Sequence, residues 1–158
     1  MTFQIRDAVK TDMPEVLALI RALALYEKEP DAVEIDVSQL EIGGFHAPVQ
    51  FSCFVAEGPD GLIGMALVYF RFSTWKGPVV HLEDLIVQEA YRGMGVGTAL
   101  YRRVMEFAQG QCVKRVNWEV LNWNTPAISF YEKTGAHVSD QWQTISMSEK
   151  NLKKYLES

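Results

Sequence analysis

Hydrophobic positions along this chain change period several times, and each change marks an element. Residues 3–8, Phe-Gln-Ile-Arg-Asp-Ala, alternate apolar and polar, the period-two pattern of a half-buried strand. From Thr11 the period lengthens. Val16, Leu17, Ile20, Leu23 and Leu25 give a helical apolar face, with Thr11 or Asp12 as cap and Pro14 in the first turn. Residues 36–45 predict a second, shorter helix ending at Gly43 or Gly44. Two apolar runs, 50–57 and 62–73, are joined by Gly58-Pro59-Asp60-Gly61, which reads as hairpin punctuation. Residues 79–87 form a further strand. Helical spacing returns over 96–110 and stops at Gly110, and 113–121 is strand-like again. A short helix is predicted over 125–135, capped by Thr125, opened by Pro126 and closed by Gly135. Residues 142–148 predict a last strand and 149–158 a terminal helix.

This order predicts a mixed α/β (α+β) domain. Too many consecutive strands lack crossover helices for a doubly wound sheet. At 158 residues, and with no repeat or linker, the chain suits one domain over 1–158. A net charge of −5 argues against a duplex-DNA partner and is compatible with a cationic substrate. Cys53 and Cys112 match no metal-ligand spacing, and Cys53 reads as a buried thiol in a strand. A reducing, cytoplasmic setting is the default expectation. The first residues carry no signal-peptide apolar stretch, and no apolar run approaches the roughly 20 residues a bilayer span needs. No membrane partner is expected.

Between the strand at 79–87 and the helix at 96–110 stand three glycines at alternate positions, Gly93, Gly95 and Gly97. A tight turn is the ordinary reading of such a cluster. Three glycines exceed what a turn requires, because each costs conformational entropy on folding. Unpaired N–H groups at a helix start, with the helix dipole behind them, make a phosphate site. A P-loop would continue Gly-Lys-Ser/Thr, whereas Gly97 is followed by Thr98 and Ala99. A dinucleotide fingerprint fails in both registers, meeting Thr98 or Leu100 where it needs Gly or Ala. What remains is an R-x-x-G-x-G loop, Arg92 to Gly97, directly after a strand.

That loop resembles the pyrophosphate loop of the GNAT superfamily of N-acetyltransferases. Asn124, Ala127, Phe130, Tyr131 and Gly135 resemble its second signature. Within the superfamily, Phe72–Gly77 with Leu82–Val87, and residues 5–29 with their Tyr-Glu end, are similar to the spermidine/spermine (diamine) and thialysine N-acetyltransferases. The resemblance covers nearly the whole chain. It implies a single-domain fold with a mostly antiparallel twisted sheet, a parallel pair splayed at the acetyl-CoA site, and helices on both faces. Acetyl-CoA is the implied co-substrate, a small amine the implied acceptor, and a homodimer the implied assembly; no metal is implied.

The resemblance also distributes roles. Arg92, Gly93, Met94, Gly95, Val96, Gly97 and Thr98 would hold the pyrophosphate. Leu85, Ile86 and Val87 would pair through the main chain with the pantetheine arm, which Asn124 would bond, with Thr125, Pro126 and Ala127 also in the cofactor site. Glu83 would be the base, through ordered water, with Asp84 a second acidic contributor, and Tyr131 the general acid on the leaving thiolate. Tyr26, Glu27, Trp75, Asn117, Trp118, Glu119 and Asp140 would contact the amine, Trp75 by a cation–π lid. These roles suit the chemistry. An alkylammonium of pKa near 10 must lose its proton to become a nucleophile, and a phenol stays protonated at pH 7. Glu83 and Asp84 alternate along a strand, so regular pleating turns only one toward a cleft. His81, two residues before Glu83, either borders the site or is a pairing histidine on the sheet. Rival readings are acetylation of a protein N-terminus or amino-sugar, or a non-catalytic acyl-CoA-binding module. Retaining both Glu83 and Tyr131 favours catalysis.

Overall fold

The computed structural model describes residues 2–157; Met1 and Ser158, the ends of the expected domain and terminal helix, lie outside them. The chain falls into two compact units, Met1–Glu119 and Val120–Ser158.

In the first unit, β1 (Gln4–Asp7), β2 (Ser52–Gly58), β3 (Gly61–Ser73) and β4 (Gly77–Val87) follow one another antiparallel, and β5 (Val116–Asn117) joins β4 in parallel. Helices cover both faces. On one, α1 (Met13–Tyr26) and α2 (Val37–Phe45) bury Met13, Val16, Leu17 and Leu40 against Val55, Met65, Leu67 and Ile86. On the other, α3 (Val96–Gly110) buries Val96, Leu100 and Val104 against Phe54, Ala66, Val68 and Leu82. The period-two alternation of β3 serves both cores: Met65 and Leu67 go to α1, Ala66 and Val68 to α3. The mixed, mostly antiparallel sheet with one parallel pair is therefore as expected.

Several local expectations change. Asp12 stands at the N-cap of α1, yet its carboxylate is taken by Arg6 at 2.7 and 3.0 Å and by the Val9 N–H at 2.8 Å. Arg6 holds the Asp12 carboxyl below its usual range, and this pair ties the start of α1 to β1. Further along α1, Glu15 accepts from the Leu62 N–H at 2.8 Å. Gly43 and Gly44 do not end α2, which runs on to Phe45 and is capped at its start by Asp36. A Cβ at either glycine would stand 2.8–2.9 Å from the Phe51 ring, so both keep the helix close to that ring.

The strand expected over 113–121 shrinks to Val116 and Asn117. Its pairing with β4 covers only Val80 and His81, just before the bulge of β4 at Glu83. In the second unit, α4 (Thr125–Lys133) and α5 (Glu149–Leu156) form as expected, but 142–148 is not a strand. Alternation alone does not make one. A strand also needs a neighbouring backbone, and none of the described residues of this unit forms a strand.

Candidate active site

The site of the first unit begins with an irregularity in β4. Leu67 pairs with Asp84 and Val68 with Leu82, so Glu83 is an extra residue without a partner across the ladder. A bulge of this kind sets two successive side chains on the bulged strand opposite one on its neighbour, and re-aims them. Burial follows the change: Leu82 is buried on the α3 side and Ile86 on the α1 side, with Glu83 exposed and Asp84 half-buried between them. The alternation that would separate Glu83 from Asp84 is suspended where they occur.

Both acids interact on the α1 side. Burial pushes the Asp84 carboxyl up to about 6, and the charges of Glu83 and then Glu27 add to the rise. Burial also raises Glu27, the residue that ends α1. Glu27, Glu83 and Asp84 therefore form one acidic group, built from a helix end and a strand bulge.

Around Glu83 lies a polar cluster. His81, buried, has Nε2 3.5 Å from the Glu83 carboxylate and Nδ1 3.1 Å from the Asn117 side-chain amide. The Tyr69 ring is 5.0 Å from the His81 ring. Tyr69 has its hydroxyl raised first by burial and then by the charge of Glu83, with which it shares a hydrogen bond. Tyr69 was not singled out from the sequence, where it is one aromatic in a long strand. The β3–β4 register, which sets it opposite His81, is the signal that finds it.

The glycine loop follows the end of β4. Gly93 and Gly95 have φ of 75° and 85°, and a Cβ on either would meet nothing within 4 Å. Packing does not demand glycine there; the left-handed backbone does, and it leaves open space over the start of α3, for which Gly95 is the N-cap. The first helical bond runs from the Ala99 N–H to the Gly95 carbonyl, so the N–H groups of Val96, Gly97 and Thr98 precede any intrahelical acceptor. Arg92 donates to the Val87 carbonyl at 3.1 Å and its guanidinium lies 4.8 Å from the centre of the Tyr26 ring. That stack joins the loop to the end of α1. Val87 and Leu85 lean toward the α3 core and Ile86 toward α1, and within this unit β5 leaves the β4 edge beyond His81 without a strand.

Other expected contacts are dispersed. Trp118 packs edge-on against Tyr101 at 5.8 Å, on the α3 side. Trp75 is exposed in the β3–β4 turn, where its N–H meets the Ser73 hydroxyl at 3.3 Å. Glu119 is exposed and acts electrostatically on His81 and Tyr69.

In the second unit, Asn124 rather than Thr125 caps α4, its side chain accepting from the Ala127 N–H at 3.4 Å. Pro126 is in the first turn, as expected. Tyr131 is buried and its ring meets that of Phe130 at 5.3 Å; the Thr134 hydroxyl donates to its carbonyl at 2.6 Å and closes the helix. Asp140 is exposed.

Residues 13–136 match the model of the Acetyltransferase (GNAT) family. The chain belongs to that family. A thialysine N-epsilon-acetyltransferase of Bos taurus is 39% identical over 140 residues, 84% of this chain and 82% of the relative. The spermidine/spermine N(1)-acetyltransferase-like protein 1 of Homo sapiens is 36% identical over 85% of this chain, which spans 20% of that relative. Among solved structures, an integron cassette protein from the mobile metagenome of V. cholerae superposes with a TM-score of 0.80 over 100% of this chain and 99% of that one, at 21% identity. The protein is thus a GNAT acetyltransferase, and acetyl-CoA is the family's co-substrate. No helix among the described residues is long and apolar enough to cross a membrane.

The residues present fit a CoA pyrophosphate: two left-handed glycines with open space above them lead into a helix N-terminus. Gly95→Val strains a φ of 85° and fills that space. Its expected result is at least a tenfold weaker CoA affinity by calorimetry, about 1.4 kcal/mol or more; unchanged affinity would separate the loop from the pyrophosphate.

Asp84 carries a second prediction. Its folded pKa is raised, so the folded state is favoured while the proton is on. The cost of ionising it appears as pH climbs above the ordinary value near 4 and is complete above about 6. Asp84→Asn is therefore expected to melt higher at pH 8, by about 1–2 kcal/mol given the half-buried setting, and to gain nothing at pH 3.5. A Tm equal to the parent's at pH 8 would contradict the account of a carboxylate ionised at a cost in a buried, acidic setting.

Proposed function

We propose that this GNAT enzyme acetylates a primary amine of a small cation of the polyamine, diamine or thialysine/lysine type, and that residues 1–158 act as one domain. The observation that carries the substrate class is the acidic group of Glu27, Glu83 and Asp84. Burial disfavours the charged forms of Glu27 and Asp84, the charges of Glu83 and Glu27 add to this at Asp84, and an ammonium group offsets that cost. The names of the thialysine-acetylating relatives support the same class. The single-domain reading is supported by the family match over 13–136, which runs across the boundary at Glu119.

In this reading acetyl-CoA supplies the activated acetyl thioester, and the chain's residues position it and move protons. Arg92 to Thr98 hold the pyrophosphate, and the open β4 edge at Leu85–Val87 pairs with the pantetheine arm as an added strand would. Asn124 to Ala127 border that arm. Tyr26, Glu27 and Asp84 draw in the cation, with Trp75, Asn117, Trp118, Glu119 and Asp140 as further contacts. Glu83 collects the ammonium proton through ordered water, and Tyr131 returns a proton to the departing sulfur. The resemblance supports a homodimer in the cytoplasm, with no nucleic-acid or membrane partner.

The deciding experiment follows thiol release from acetyl-CoA with spermidine, a short diamine, thialysine, lysine, an amino-sugar and an N-terminal peptide. Turnover with one of the first four and not with the last two is expected. Turnover confined to the amino-sugar or the peptide overturns the substrate class, and no turnover with any amine overturns catalysis.

A further inference from the structure

A base that works through water must have its carboxylate held steady, and Glu83 sits at a bulge, exposed, with no ladder partner of its own. Tyr69, across the ladder on β3, shares a hydrogen bond with it, and His81 faces it from its own strand. His81 is buried and held on two sides: its ring lies tilted at 43° to that of Tyr69, centroids 5.0 Å apart, and the Asn117 amide meets Nδ1 at 3.1 Å. Burial holds its pKa below the usual histidine value, so the ring is neutral at pH 7, with Arg71 adding to this effect and Glu83 and Glu119 opposing it. A neutral imidazole carries one N–H. If Asn117 donates through its amide to Nδ1, that hydrogen lies on Nε2, which faces the Glu83 carboxylate at 3.5 Å. The opposite arrangement would set a bare ring nitrogen against a carboxylate, two acceptors face to face. The distance is longer than a formed hydrogen bond and is of the kind that closes when substrate binds.

We propose that His81, with its tautomer set by Asn117, is the positioning residue for Glu83, donating from Nε2 to hold the carboxylate at the angle its proton-collecting role requires. The Asn117 oxygen is buried and without a hydrogen-bond partner, a cost accepted for keeping the amide turned toward the ring. Tyr69 and His81 both contact Glu83, while the Asp84 carboxyl feels the charges of Glu83 and Glu27. The inference rests on Glu83 being the base.

The test compares His81→Phe, His81→Gln and Glu83→Gln in the full chain, using the best amine of the panel. His81→Phe keeps the ring packing on Tyr69 but removes the N–H. Its expected result is a kcat about tenfold lower with KM for the amine within twofold. His81→Gln, whose amide can donate to Glu83, is expected to recover at least half of that loss on a logarithmic scale. The double variant His81→Phe/Glu83→Gln should be no slower than Glu83→Gln alone, because a positioning residue has nothing left to position. An unchanged kcat in His81→Phe, a loss carried by KM, no recovery in His81→Gln, or fully additive losses in the double variant would each overturn the proposal. If Glu83→Gln itself keeps full kcat, the base assignment fails first and the inference falls with it. If Glu83→Gln is slow while His81→Phe is not, the base stands and only the positioning role is lost.

Discussion

Glu83→Gln is expected to lower kcat by about 10²–10⁴, the range associated with removing a positioned general base. The substitution keeps the shape of the side chain, and Glu83 is exposed at a bulge rather than packed in either core, so the fold is expected to survive. The loss should also depend on pH in a telling direction. An alkylammonium of pKa near 10 sheds its own proton as pH rises, about tenfold more free amine for each unit below that value. An enzyme without its base therefore gains with pH over a range where the parent has levelled off. Steady-state rates from pH 7 to 9.5 test this. A constant ratio of variant to parent across that range would mean that Glu83 does something other than collect the proton.

Tyr131→Phe is expected to lower kcat by a similar factor, about 10²–10⁴, with CoA affinity within about twofold of the parent. Phenylalanine keeps the ring that packs against Phe130 and leaves the Thr134 bond to the backbone carbonyl in place, so α4 is expected to be undisturbed. Only the hydroxyl is lost. A donor whose thiol is more acidic leaves without help, and should be affected much less by the variant than acetyl-CoA. Comparing the two donors tests the role directly: an equal loss with both would place Tyr131 in packing rather than in proton transfer.

The stretches that named the family were legible because their meaning is local. Arg92 to Gly97 needs only a backbone with φ near 75–85° at two glycines and a helix start behind it, and all of this is written in six consecutive residues. The start of α4 behaves the same way, although the capping side chain turned out to be Asn124, one residue before the expected Thr125. The strands of the sheet were legible for a related reason, since long alternating runs such as 62–73 have few other ways to bury their apolar side.

What failed was whatever depended on a partner outside the segment itself. Asp12 is at the N-cap of α1 as expected, but its carboxylate goes to Arg6 and the Val9 N–H and makes no capping bond to α1. Gly43 and Gly44 resemble a helix end, and they are instead a seat for Phe51. Residues 142–148 alternate like a strand without becoming one.

The acidic group shows the division most clearly. By itself the sequence determined which residues were available: Glu27 at a helix end, Glu83 and Asp84 side by side, His81 two positions before. On regular pleating it also said that the two adjacent acids should diverge. Only the tertiary structure decided otherwise, because the β3–β4 register skips one residue at Glu83. Registry is a property of two strands read against each other, set by which side chains of β3 and β4 the cores on both faces accept. No single segment contains it, and with it came the burial of Asp84 that, with the charges of Glu83 and Glu27 added, raises its carboxyl to about 6.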